Sequence, residues 1–244
     1  MQKLELKIPG TKNPKLPWLI SLARPTLDEL EQEYLRIGSE KCGHLRQQTQ
    51  LSAFLLCGIR CLSLLRGMLR LLEPQFLDSH AALHRAFLEC WYLQCDFRLR
   101  RRTAQNLDFK DWFHPKSKLW ERRRTRNTVR KAIEHLGGSP SDFNWEYDIL
   151  SNAAHPTNEA AYSSELVVTA TRGMSPHGET RLREVLHDIS DHYVNLLSRE
   201  LWVSLFDHAE LIETGFRKDK LKNALQLYDV FVIRQSKVDW GNIR

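Results

Sequence analysis

Arg85, Glu89 and Asp96 are the charged residues of an otherwise apolar stretch, Ala81 to Phe97. On a helical wheel at ~100° per residue they share one narrow polar seam. Leu83, Ala86, Phe87, Cys90, Trp91, Leu93 and Phe97 cover one broad side, and Leu88, Tyr92 and Cys95 cover much of the other. A helix that is apolar nearly all round is buried, and a charge inside it is costly unless paired. Arg85 is therefore expected to meet Glu89 at i,i+4, Asp96, or an anion brought from outside. Two chemistries follow: an ion pair that locks a bundle, or a guanidinium–carboxylate pair lining a site with Tyr92 beside it. His80 and His84 are also spaced i,i+4, as metal ligands can be. No third ligand accompanies them in the sequence, so no metal and no cofactor is expected.

A second segment runs from Asn144 to Thr157. Tyr147, Ser151 and His155 recur at i, i+4 and i+8 and stack on one helical face. Pro156 ends the helix at His155. The helix macrodipole there favours the protonated imidazole, which suits a proton donor or an anion partner. Residues 98–131 hold 13 lysines and arginines against three acids. Arg100, Arg101 and Arg102 end one helix, and Arg122, Arg123, Arg124, Arg126 and Arg130 cover much of another. Trp112, Phe113 and Trp120 are interleaved with them. Such density attracts polyanions through counterion release, and the aromatic rings could stack on bases. An acidic protein partner, or a solvated charged face, is the competing reading.

Arg-x-x-x-Glu on one helix, followed some 60 residues later by Tyr-x-x-x-Ser-x-x-x-His-Pro, resembles a bacterial branch of the HEPN superfamily, the higher eukaryote and prokaryote nucleotide-binding helical domains. The matching positions are Arg85, Glu89, Tyr147, Ser151 and His155, within about residues 45–210. The resemblance implies an all-α fold and binding of RNA or a nucleotide. It also implies metal-independent endoribonuclease activity or a place in toxin or phage-defence systems, and a homodimer. In that case Arg85, Glu89 and His155 would carry the chemistry, with His155 as general acid/base and Arg85 stabilising the charged phosphorane. The Arg-x(4–6)-His motif of catalytic members does not stand out. Arg130/His135, Arg172/His177 and Arg181/His187 fit the spacing, about as many pairs as chance supplies.

The elements that would position these residues are helical. The chain has 244 residues, with 38 leucines against 19 valines plus isoleucines, and unbranched side chains favour helices. A single bundle of about six to eight helices is expected over 26–236. An extended arm over 1–25 precedes it, because of Pro9, Pro14, Pro17 and Pro25, and a tail over 237–244 follows. Thr26-Leu-Asp-Glu29 reads as a capping box that starts the first helix at Leu27. Further helices are expected over about 44–72, 78–102, 116–136, 139–155, 179–213 and 219–234. Leu166 to Thr171 is the only run with β propensity, and a lone strand makes no sheet. Leu51 to Leu72 is interrupted by Arg60, Arg66 and Arg70, so it reads as a buried helix and not a membrane span. The start of the chain has no apolar core of a signal peptide. Cys42, Cys57, Cys61, Cys90 and Cys95 include no C-x-x-C and read as buried free thiols in a reducing compartment, with a disulfide or zinc site as the alternative. A cytoplasmic location is the resulting expectation.

Overall fold

In a computed structural model, the chain is described over residues 16–43, 45, 49–72, 77–102, 130, 133–134, 141, 150, 176–205 and 215–235. Among these residues there are five α-helices, a 3₁₀ turn at Lys218–Lys220 and no strand. The helices are α1 (Leu16–Cys42), α2 (Gln50–Arg70), α3 (Leu77–Arg102), α4 (Pro176–Leu205) and α5 (Lys222–Gln235). The expected helices over 116–136 and 139–155, the run 166–171 and the tail 237–244 lie largely or wholly outside the described residues.

The N-terminal reading needs correction. Residues 16–25, expected as part of an extended arm, are the first turns of α1, with Pro25 inside the helix. Proline has no N–H, so the helix forgoes one backbone hydrogen bond at a cost of about 3 kcal/mol. Leu16, Leu19 and Ala23 are buried ahead of it. Burying each leucine contributes about 2 kcal/mol, enough to offset the proline. Thr26 consequently sits mid-helix and fully buried, and does not cap.

Helix α2 starts at Gln50, six residues later than expected. Thr49 is its N-cap: Thr49 Oγ1 accepts from the Ser52 amide at 3.2 Å, and Ser52 Oγ accepts from the Thr49 amide at 2.9 Å. The turn before it contains Leu45 at φ +66°, which seats the Leu45 side chain on the bare backbone of Gly38 in α1. A Cβ at Gly38 would stand 2.6 Å from Leu45 Cδ2. Helices α2 and α3 form the most extensive pairing; α1 packs on α2, α4 and α5, and α4 on α2 and α3. One hydrophobic core joins all five, centred on Leu30, Tyr34, Leu62, Phe87, Trp91, Tyr193 and Leu201, and includes Ile133 and Leu150.

Polar contacts along α1 fix the bundle's edge. Arg66 of α2 reaches Asp28 at 2.8 Å and Glu31 at 2.7 Å. Glu29 caps a different helix: its carboxylate accepts from the Asn223 amide at 2.9 Å, Asn223 Nδ2 at 2.6 Å and the Ala224 amide at 2.9 Å, at the start of α5. Glu33 pairs with Arg36 at 2.6 Å and accepts from the Arg217 amide at 2.8 Å. Burial pushes the Glu33 carboxyl up, but these hydrogen bonds outweigh it and hold the group below its ordinary value. By length and composition α2 could cross a membrane, but 61% of its apolar window is buried inside the bundle.

Candidate functional site

Helix α3 carries the predicted seam, and the structure divides it by depth. Arg85, Glu89 and Asp96 recur at helical spacing along one face, and Tyr92, expected on the opposite apolar side, falls on that face as well, because i+7 closes two helical turns. The Arg85 and Glu89 side chains are 27% and 29% exposed, and Arg85 Nε stands 3.7 Å from Glu89 Oε1. Asp96 and Tyr92 are buried, with the Tyr92 ring edge-on to Trp91 at 5.1 Å. The expectation of a fully buried seam is thus corrected: the pair lies at the rim of the bundle and the face becomes core toward its C-terminal end. Of the remaining candidates, Arg130 is exposed. Arg100, Arg101 and Arg102 close α3 as helical residues. His155, Tyr147, Ser151, Arg122, Arg123, Arg124 and Arg126 lie outside the described residues.

Two buried polar clusters lie apart from this seam; the first is unforeseen in the sequence, and the second is built on the His80/His84 pair. The first joins α1, α3 and α4. Glu200 Oε1 accepts from Tyr34 Oη at 2.9 Å, Ser204 Oγ at 3.1 Å and Gln94 Nε2 at 3.2 Å. Gln94 Nε2 also donates to Tyr34 Oη at 3.0 Å, and Tyr34 Oη lies 2.5 Å from Ser204 Oγ. Gly58 of α2 closes the cluster, since a Cβ there would stand 2.4 Å from Tyr34 Cε2 and 2.6 Å from Gln94 Nε2. All four polar side chains are buried, and Glu200 Oε2 and Gln94 Oε1 have no hydrogen-bond partner among the described residues. Burial pushes the Glu200 carboxyl up to about 7, against hydrogen bonds from Gln94, Tyr34 and Ser204 that work the other way. A sequence signal existed: Glu200 falls on the apolar face of α4 with Tyr193, Leu196, Leu197 and Leu201.

The second cluster is histidine-rich. His84 of α3 lies edge-on to His192 of α4, ring centroids 4.8 Å apart, with His80 one turn earlier on α3. Burial, with His84 and His192 alongside, pulls the His80 imidazole down to about 4. The structure thus supplies a third histidine near the i,i+4 pair. Even so, no three His, Cys, Asp or Glu side chains among the described residues are grouped to hold a metal. All five cysteines are free thiols; Cys90 is half-buried and the other four are buried.

Neither the family models nor the curated proteins nor the solved structures compared with this chain match it.

Proposed function

We propose that this chain is a HEPN-like helical protein that binds RNA or a phosphate-bearing nucleotide, with Arg85 as the anion-recognising side chain and Glu89 orienting it. The observation that supports this reading is the placement of the Arg85–Glu89 pair. A half-buried pair, its side chains 27% and 29% exposed and 3.7 Å apart, contributes on the order of 1 kcal/mol or less to stability, so fold maintenance is a weak reason for a charged pair on so apolar a helix. A guanidinium at a solvent-accessible rim, by contrast, meets phosphate oxygens without a large desolvation penalty. The basic stretch 98–131 adds a density of cationic side chains that attracts polyanions. In the catalytic form of this reading His155 is the general acid/base, Arg85 stabilises the charged phosphorane, and RNA is cleaved without metal.

The test is titration of a fluorescent single-stranded RNA and of a labelled nucleotide, followed by incubation of the RNA with protein in chelator. Arg85→Ala should weaken binding at least tenfold while the melting temperature moves by only a few degrees, and His155→Ala should abolish any cleavage. Binding unchanged in Arg85→Ala would sink the site. The second reading is a non-catalytic interaction protein with a basic surface for an acidic partner, in which Arg85, Glu89 and His155 are structural. The bonding of Arg85 to a neighbour on its own helix favours it. It requires a large stability loss in Arg85→Ala.

A further inference from the structure

The cluster of Tyr34, Gln94, Glu200 and Ser204 has four hydrogens to donate, one on each hydroxyl and two on the Gln94 amide. The amide hydrogens go to Tyr34 Oη at 3.0 Å and Glu200 Oε1 at 3.2 Å. The hydroxyl hydrogens are used on Glu200 Oε1 and in the contact between Tyr34 Oη and Ser204 Oγ. Every donor is thus spent inside the cluster. Glu200 Oε2 and Gln94 Oε1, both buried, receive none among the described residues. The cluster therefore lacks a donor and has acceptors to spare. A proton on Glu200 Oε2 adds a donor and removes a buried charge at the same time.

The surroundings leave that proton as the means of neutralising Glu200. The titratable groups that act on it are Tyr34 of α1, Cys57 and Cys61 of α2, and Cys90 and Cys95 of α3, and none of these carries positive charge. Of the arginines nearest along the two helices, Arg98 is half-buried and Arg199 lies over the Trp91 ring, 5.6 Å from its centroid; neither bonds to Oε2. Tyr34, Gln94 and Glu200 are fully buried, and Gly58 packs so closely that a Cβ would overlap Tyr34 and Gln94. An ionised Glu200 cannot be solvated in place, so its charge is relieved only if α4 moves. The cluster also stands where helices meet. Tyr34 belongs to α1, Gly58 to α2, Gln94 to α3, and Glu200 and Ser204 to α4, while the Tyr34 ring packs on Phe216, 5.6 Å away on the approach to α5.

We propose that Glu200 is a proton-operated latch for the C-terminal end of α4. With the proton in place, Glu200 and Ser204 hold that end on Tyr34 and Gln94. Without it, residues 200–205 come away and fray, uncovering Leu201, Leu205 and Phe216. The rest of α4 stays docked, because Trp91 Nε1 donates to the Arg199 carbonyl at 2.9 Å and His192 lies on His84 two turns earlier. Burial sets the carboxyl at about 7 in the closed bundle, above its ordinary 4.5, so the latch works near neutral pH. The closed state holds the proton more tightly than the open one. Closure is therefore complete below 4.5 and weakens as pH rises to 7.

The test is hydrogen exchange of the full chain between pH 5 and 8, wild type beside Glu200→Gln, whose amide stands in for the neutral acid. Two results are expected. In wild type the amides of 201–205 should exchange by a local route, at least about tenfold faster than those of Leu62 and Leu65 in α2 and with little response to low denaturant. At each pH the intrinsic rate cancels between the two chains, and the ratio of wild-type to variant exchange at 201–205 should rise roughly fifty-fold from pH 5 to 8, levelling off above 7. The infrared difference between the two chains at pH 5.5 should also show the carbonyl stretch of an un-ionised carboxylic acid. A missing band means that Glu200 is charged in the closed bundle and overturns the proposal. So does a ratio flat with pH, or protection at 201–205 equal to that of α2 with full denaturant sensitivity, since Glu200 then acts on the whole bundle and not on a latch. Should Glu200→Gln fail to fold, wild-type exchange corrected for intrinsic rates decides by the same comparison of α4 with α2. This proposal does not rest on RNA or nucleotide binding.

Discussion

Replacing Glu200 by Gln, and separately His80 by Gln, should expose two opposite pH dependences that mask each other in the intact chain. Glu200 has an ordinary carboxyl value of 4.5 when unfolded and about 7 when buried in the bundle. Its folded value is raised, so the folded state holds the proton more tightly and stability is lost as pH rises from 4.5 to 7. His80 has an ordinary value of 6.5 and a folded value of about 4. Its folded value is lowered, so the unfolded state binds the proton first and stability is lost as pH falls from 6.5 to 4. Each gap is worth on the order of 3 kcal/mol, at about 1.4 kcal/mol per pH unit where the two states differ by a full proton. Between pH 4.5 and 6.5 the contributions have opposite sign and nearly equal slope, so wild type carries almost no net dependence from these two groups. Denaturant unfolding followed by circular dichroism at pH 4.5, 5.5, 6.5 and 7.5 separates them. Relative to wild type, Glu200→Gln should gain stability toward pH 7.5, and His80→Gln should gain it toward pH 4.5. The differences should approach the calculated size, or on the order of 10 °C in Tm for a chain of this length. Difference curves that are flat with pH for both variants would refute the assignment of these two groups as buried titrating sites.

Gly58→Ala puts a methyl group where the Tyr34 ring and the Gln94 amide already stand, 2.4 and 2.6 Å away. It should cost about 2 kcal/mol or more, whereas Gly67→Ala, facing only the end of Leu83 at 3.0 Å, should cost clearly less; chemical denaturation of both variants measures the gap. Glu29→Ala leaves the first amides of α5 without their carboxylate and should cost about 1–2 kcal/mol. Hydrogen exchange should then accelerate at Asn223 and Ala224, while exchange in α2 stays unchanged.

The same Glu29 shows where local sequence rules stop. Thr26 and Glu29 have the spacing of a capping box, and in an isolated peptide that spacing would start a helix. In the bundle, Leu16 and Leu19 reward extending the helix backward through Pro25, so Thr26 becomes core and Glu29 turns outward to cap a helix nearly two hundred residues away. A cap is specified by a carboxylate near orphan amides, and sequence spacing reveals only the nearest such amides, not those that tertiary contact delivers.

Helical periodicity has a matching limit, and α3 shows it. Its wheel placed Arg85, Glu89 and Asp96 in one seam because period alone fixes direction. How deep each position sits is decided by what packs against it. Asp96 is enclosed in the bundle, whereas Arg85 and Glu89 stand at its rim. The role of Glu200 is hidden from the sequence for the same reason. Its position on the apolar face of α4 was legible, but a carboxyl group there becomes tolerable only when Tyr34, Gln94 and Ser204 supply donors from three helices and Gly58 leaves them room. Those partners are up to 166 residues away, and their convergence is a property of the packed bundle alone. An acid on the apolar stripe of a leucine-rich helix is therefore a sequence-level flag that such a cluster must exist, even before its members can be named.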